Sequence, residues 1–203
     1  MATGELVLLL NNDIEVIKGD WLREMVSCFS YPGTGIVGAR LLYPNGRIQH
    51  AGVIIGLRGL AGHWFIGQRQ SVPGPMARLH VRQSLTAVTG ACMLVSRACL
   101  DTTGSFDETE FAIAYNDVDF CLRAVAKGFR VVWTPFATLN HHESATRGSD
   151  ESRVNRARFQ RDKERLRRRH NTETFSDRAF SPWYSRDRSE AEPILLLRLP
   201  EAR

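Results

Sequence analysis

The chain is short of cysteine. Its 203 residues hold four, Cys28, Cys92, Cys99 and Cys121, and none belongs to a Cys-x-x-Cys pair. They lie among Phe, Ala, Met and Leu, and read as buried free thiols of a reducing compartment rather than as disulfides or zinc ligands. No apolar run approaches the ~18–20 residues that cross a bilayer, and Met1–Glu5 lacks the features of a signal peptide. These absences lead us to expect a cytoplasmic protein with reduced thiols. What remains is ordinary for one globular core, with 43% hydrophobic and 24% charged residues. The net charge of +5 is concentrated in RVNRARFQRDKERLRRR, 153–169. Such a block reads first as a solvated helix, and otherwise as a contact for phosphates or an anionic membrane face.

Periodicity outlines alternating strands and helices, an α/β chain. Glu5–Leu10 is a continuous apolar run ending at Asn11-Asn12-Asp13, as for a strand buried on both faces. Trp21, Leu22, Met25, Val26 and Phe29 recur at helical spacing until Tyr31-Pro32-Gly33. Pro44-Asn45-Gly46 joins two hairpin arms, 35–43 and 47–56, because Asn-Gly accepts positive φ readily. Residues 57–83 read as a long surface loop, a lid or acceptor-binding element. Ser84–Ser96 is expected to be one small-residue strand, followed by a helical turn through 97–103 and a break at Gly104. Asn116 is a candidate helix cap; Val118, Cys121, Leu122 and Val125 share an apolar face, and Gly128 stops the helix. Phe129–Trp133 is a strand that Pro135 ends, with a further short strand at 139–142. A charged helix over 152–169 and a loosely packed tail over 171–203 complete the chain. The expected division is 1–150 for the catalytic part and 151–203 for the basic helix and tail.

Three places carry chemistry. Asn11-Asn12-Asp13 puts oxygen ligands at a strand's carboxyl end, which suits Mg²⁺ or Mn²⁺ held mainly through substrate phosphates; Asn and Asp are also common turn residues. Asp117 lies in the first turn of its helix, where the dipole favours an ionised carboxylate able to take a proton from a hydroxyl; acids there also simply stabilise helices. Asp119 is placed on the solvated face or paired with Arg123. His141 and His142 follow a strand and precede Glu143-Ser144; adjacent residues of an extended chain face opposite ways, so at most one of the two faces a site, and such a pair is as often a surface feature.

The order of these pieces is distinctive. Asn-Asn-Asp after a strand, Arg47-Ile48-Gln49-His50-Ala51-Gly52-Val53, Thr89-Gly90-Ala91-Cys92, Phe106-Asp107-Glu108, Asn116-Asp117-Val118-Asp119 and His141-His142-Glu143-Ser144 resemble family-2 glycosyltransferases, the bacterial O-antigen and rhamnosyl-type members above all. The likeness runs from about Gly4 to Gly148, and Ser181-Pro182-Trp183-Tyr184 is similar to an aromatic tail seen after such domains. The resemblance implies a GT-A fold, a mixed sheet flanked by helices, here without the N-terminal strands that carry the nucleotide-base pocket. It implies a nucleotide-diphosphate sugar donor, Mg²⁺ or Mn²⁺, a glycan or lipid-linked acceptor, and inversion at the anomeric carbon. By position, Asn11 and Asp13 take the ends of the family's D-x-D element at the metal, with His141 joining them. Asp117 matches the general base, and Thr89, Gly90, Ala91 and Asn116 fall on the acceptor side. Two positions depart from the pattern: Asn11 stands for the usual first carboxylate, and Asn116 for a common Glu before the base. Location at the inner face of the membrane, through the basic block, follows as an expectation. The competing readings are an inactive remnant of such an enzyme and a basic nucleic-acid-binding protein. The second lacks aromatic interleaving and any recognised module.

Overall fold

The computed structural model describes residues 2–111, 114–142 and 153–194, with side chains of the last helix from residue 157. A mixed seven-stranded sheet forms the centre. Its elements are β1 (Leu6–Leu10), β2 (Ile14–Val16), β3 (Thr34–Leu42), β4 (Ile48–His50), β7 (Gln83–Leu85), β8 (Cys92–Ser96) and β9 (Arg130–His141); β5 (Val53–Ile55) and β6 (Ala61–His63) make a separate hairpin. The strand order is β1-β8-β3-β9-β2, with β4 also on β3 and β7 also on β9. Only β3 and β9 pair in parallel; β1 and β3 are each antiparallel to β8. The strands β1, β3 and β9 therefore run the same way and deliver their carboxyl ends to one edge, where open α/β sheets gather ligand groups.

Helix α1 (Trp21–Ser27) covers one face, seating Trp21 and Met25 on Val37, Ala39, Leu41, Val132 and Leu139. Glu24 ties it down, accepting Arg82 Nε–H at 2.7 Å and Thr134 Oγ1–H at 2.6 Å. Helices α2 (Arg97–Thr103) and α3 (Asn116–Ala126) cover the other face. Ser96 caps α2 by accepting Cys99 N–H at 3.2 Å. Gly38 lies under Val88 so closely that a Cβ would come within 2.6 Å of it.

Several expectations need correcting. The run Leu6–Leu10 does pack on both faces, with Leu6 and Leu8 toward the α1 side and Leu9 toward the other. It has a strand on one flank only, so within the described sheet it is a half-buried edge. Residues 57–83 are no surface loop: Leu57, Trp64, Phe65 and Leu79 are buried, and β6 pairs with β5. Ser84–Ser96 is two strands separated by the turn that contains Thr89-Gly90. Strand β9 runs unbroken through Pro135, because a bulge at 135–137 takes the proline out of the ladder: Ala39 pairs with Thr134, but Arg40 pairs with Thr138. Tyr115, at a left-handed φ of 63°, occupies the cap position of α3, and Asn116 already lies within the helix.

The C-terminal parts are also bound to the core. Asp177 accepts Ile55 N–H at 2.8 Å and Thr86 Oγ1–H at 2.5 Å, and Phe180 packs 5.6 Å from Trp64. The segment 171–194 is thus a packed strap; 195–203, like Glu143, Ser144 and the expected boundary at 150, lies outside the described residues. Helix α4 (Arg153–His170) is not wholly solvated, since Leu166 is fully buried and Phe159 stacks on Tyr115 at 5.7 Å.

The largest correction concerns Asp119. It pairs with Arg123 at 2.7 Å as expected, but it is 0% exposed rather than on a solvated face. Its other oxygen meets His170 at 2.8 Å and Arg169 at 3.3 Å, both from α4. Burial works to raise its pKa, yet the bonds from His170 and Arg123 outweigh that and hold it below the usual carboxylate value. Arg123 goes on to bond the carbonyls of Thr103 and Ser105 at 2.7 and 2.9 Å. Removing one partner of a buried charge cluster costs about 3 kcal/mol or more, because the others stay desolvated. Asp119→Ala should therefore destabilise the fold by about 3 kcal/mol in urea unfolding; a change below about 0.5 kcal/mol, the surface-substitution range, would remove it from this role.

Candidate active site

The parallel pairing of β3 with β9 brings His141, at the end of β9, to the turn that follows β1. There Asp13 Oδ1 lies 3.1 Å from His141 Nε2, across 128 residues of chain. The imidazole is held from behind: Gln49, buried on β4, has Oε1 2.6 Å from His141 Nδ1. A carboxamide oxygen only accepts, so the ring proton sits on Nδ1 and donates to it. On the other side Asn11 Nδ2–H donates to His141 Nε2 at 3.3 Å, which again makes Nε2 the lone-pair nitrogen.

The consequence is one unmatched atom. Asp13 Oδ1 is buried and, despite its nearness to Nε2, makes no hydrogen bond. That buried oxygen stands without a donor beside the imidazole, an arrangement that a cation relieves. Their separation also suits neighbouring ligands of an octahedral ion with bonds of about 2.1 Å. Among the described residues no three His, Cys, Asp or Glu side chains gather at one point. His142 is turned away, with Nε2 2.9 Å from the exposed Glu15. The alternation of an extended strand accounts for the difference between the two histidines.

Asp117 reaches the same edge from the other face. Its Oδ2 accepts Gly90 N–H at 2.8 Å and its Oδ1 accepts Val118 N–H at 2.8 Å. Each carboxylate oxygen keeps further lone-pair capacity. Gly90 and Asp117 are closely packed: a Cβ at Gly90 would stand 3.3 Å from that of Asp117, which would have to give by a few tenths of an ångström. The next residue links the two halves: Ala91 C=O accepts Asn11 N–H at 2.9 Å. Thr89, Gly90 and Ala91 thus bridge the turn after β1 to the start of α3, where Asn116 Oδ1 accepts Asp117 N–H at 2.8 Å.

Two residues seen in the sequence only as part of a motif hold this framework. Gln49 fixes His141, and its neighbour His50 addresses the other half. Fully buried, His50 accepts Thr89 N–H on Nε2 at 3.4 Å and donates from Nδ1 to His63 Nδ1 at 3.0 Å. The signal for them is an adjacent Gln-His pair in an otherwise apolar hairpin arm, since buried polar side chains persist where they are hydrogen-bonded.

Residues 1–167 match the family described as glycosyltransferase like family 2, and the chain belongs to that family. A protein named y4gI from Sinorhizobium fredii is 46% identical over 189 residues, covering 93% of this chain and 21% of that protein. The O-antigen biosynthesis protein RfbC of Myxococcus xanthus is 43% identical over 150 residues, 73% of this chain and 12% of its own length. An N-acetylglucosaminyl-diphospho-decaprenol L-rhamnosyltransferase of Mycobacterium tuberculosis is 25% identical over 156 residues, 71% of this chain and 49% of that enzyme. The chain thus spans less than a quarter of the first two relatives. A mannosyltransferase of Pyrobaculum calidifontis, solved with GDP-Man and Mn²⁺, aligns with a TM-score of 0.47 and 17% identity, over 77% of this chain and 37% of that one. Among the described residues no helix is long and apolar enough to cross a membrane.

The histidine pair gives the site a pH signature. Burial first, then the neighbouring His63 and His141, hold the pKa of His50 well below the usual 6.5. The unfolded chain takes up this proton near pH 6.5 and the folded chain does not. Its contribution to stability is therefore complete above about pH 6.5 and lost as pH falls below it, by up to about 1.4 kcal/mol per unit. Urea unfolding at pH 7, 6 and 5 should show this slope, reduced by one proton's worth in His50→Gln. Equal slopes in the two proteins would contradict a buried neutral His50.

Proposed function

We propose that this chain forms the metal-binding, catalytic and acceptor-facing part of an inverting glycosyltransferase of the GT-A type. It moves a sugar from a nucleotide-diphosphate donor to a hydroxyl of a glycan or lipid-linked acceptor. The observation that carries this reading is the buried, unbonded Asp13 Oδ1 beside the lone pair of His141 Nε2. Asp13 and His141 are the residues that would hold Mg²⁺ or Mn²⁺, with Gln49 orienting His141. Asn11, whose amide offers either a donor or an oxygen, stands beside them. A bound divalent cation supplies positive charge against the diphosphate as it departs.

The chain's own residues account for the remaining work. Asp117, oriented by the amides of Gly90 and Val118, takes the proton of the acceptor hydroxyl as its oxygen attacks. Asp117 comes from α3 and the Asp13–His141 pair from the turn after β1 and the end of β9, and this separation of proton acceptor from leaving-group site onto different elements supports the inverting reading. The turn Thr89–Ala91, with Asn116, forms the acceptor side between them. The names of RfbC and of the rhamnosyltransferase favour a glycan or a lipid diphosphate as acceptor. A cytoplasmic placement at the inner membrane face is part of the reading. Several α4 arginines are already engaged, Arg169 by Asp107 at 2.7 Å and Arg165 by Glu110 at 3.3 Å, so any membrane contact rests on the others. Vesicle flotation tests it: binding to neutral and anionic vesicles alike, insensitive to salt, would reject the electrostatic contact.

For the reaction itself, in a full-length context that includes the donor-binding part, Asp117→Asn should lower release of nucleoside diphosphate at least ~100-fold while leaving donor affinity by calorimetry nearly unchanged, as for a lost proton acceptor. A near-normal rate would remove Asp117 from the mechanism. With so few protein donors, Mn²⁺ alone should bind weakly and Asp13→Asn should abolish that binding; unchanged Mn²⁺ affinity would reject the metal site.

A further inference from the structure

The sheet splits at one point. On one flank β3 pairs with β8 as far as Gly38↔Met93, and then with β4 from Leu41↔His50, so Ala39 and Arg40 face the gap between the two strands. On the other flank the β9 bulge of 135–137 falls between the partners of Ala39 and Arg40. Into this split strand reaches Arg40, half-buried on a central strand of the sheet. Bulges of this kind re-aim side chains next to sites. Here the bulge sets Thr138, whose hydroxyl donates to Pro135 C=O at 2.8 Å and accepts Arg40 Nε–H at 3.0 Å.

That one bond orients the guanidinium, and among the described residues nothing hydrogen-bonds its two terminal nitrogens. Among the described residues no carboxylate pairs with Arg40. Other arginines near the core are satisfied: Arg82 by Glu24, Arg123 by Asp119, and Arg78 by Gln83, the carbonyl of Ala179 and the ring of Trp64. The terminal nitrogens of Arg40 are not sealed from solvent, since they are absent from the buried atoms that lack partners. Burial disfavours its charged form, with no acid to offset that. A partly desolvated, pre-oriented guanidinium with an empty fork matches the geometry of a phosphate. The turn that bridges the gap beside it is the one holding Asp117, with Val88 over Gly38 and Thr89 bonded to His50 of β4.

We propose that Arg40 is a phosphate-binding residue of the site, its terminal N–H groups engaging a phosphate oxygen of the donor's diphosphate or of a phosphate-bearing acceptor. The inference rests on the reading of this edge as a transferase site. Thr138 is its positioning residue.

Calorimetry on the whole chain tests it with two probes, inorganic pyrophosphate with Mn²⁺ and inorganic phosphate without metal. Arg40→Gln should weaken at least one of them about tenfold or more, the scale of one charge-assisted hydrogen bond, with the affinity for Mn²⁺ alone and the melting temperature unchanged. Loss in the pyrophosphate arm assigns the donor's diphosphate, and loss in the phosphate arm an acceptor phosphate. Loss in neither overturns the proposal. Should Arg40→Gln fail to fold, Arg40→Lys and Thr138→Val carry the test, since both keep the charge but lose the fork or its orientation; wild-type affinity in both would overturn it. Asp13→Asn separates the two readings. If it abolishes metal-dependent pyrophosphate binding and Arg40→Gln weakens neither probe, the metal site stands and Arg40 falls. The reverse pattern keeps Arg40 and removes the metal site.

Discussion

The parallel pairing of β3 with β9 is the constraint from which the site follows. It is the one parallel ladder of the described sheet, and it runs nearly the whole length of both strands. With β1 oriented alike through β8, three strand ends arrive at one edge, and with them Asn11, Asp13 and His141. The same ladder carries the bulge at 135–137, so the irregularity that admits Pro135 also shifts Thr138 opposite Arg40. Pairing of this kind joins residues about 100 positions apart and depends on cores on both faces of the sheet. The apolar sets under α1 and under α2 and α3 supply them.

The carboxylate proposed as the base, Asp117, is held by a second, electrostatic constraint. Asp117 and Asp119 are two residues apart on α3, yet one lies at the site and the other is fully buried against Arg123, Arg169 and His170. The buried carboxylate couples α3 to α4 and, through Arg123, to the carbonyls after α2. The left-handed Tyr115 just before them, stacked on Phe159 of α4, is a strained conformation that surrounding packing must maintain. The basic helix is thereby part of the frame that aims Asp117. Its arginines act as counter-charges for Asp107, Glu110 and Asp119 as well as a positive surface.

A similar economy holds on β4. Gln49 and His50 are neighbours that serve opposite halves of the site, one behind His141 and the other behind Thr89. Strand alternation makes this possible, and the split between β8 and β4 gives each side chain a different element to meet. A buried neutral histidine bonded to a backbone amide is a rigid support at neutral pH and a weak one in acid.

Local chemistry was enough to read the helices at 21–27, 97–103 and 116–126 and the Pro44-Asn45-Gly46 hairpin, because caps, turn residues and 3.6-residue periodicity act over a few positions, while the family came from the resemblance carried by the order of the motifs. The candidates Asn11, Asp13, Asp117 and His141 were legible from residue type at strand and helix ends. Tertiary structure alone decided which of His141 and His142 faces Asp13, that Asp119 is buried, that 57–83 and 171–194 are packed, and that Pro135 sits in a bulge. Each of these depends on a partner from a distant part of the chain, and no local pattern encodes the partner's position. Arg40 shows the limit most clearly: in the sequence it is one of many arginines, and only the register of three strands reveals that it stands where the sheet opens.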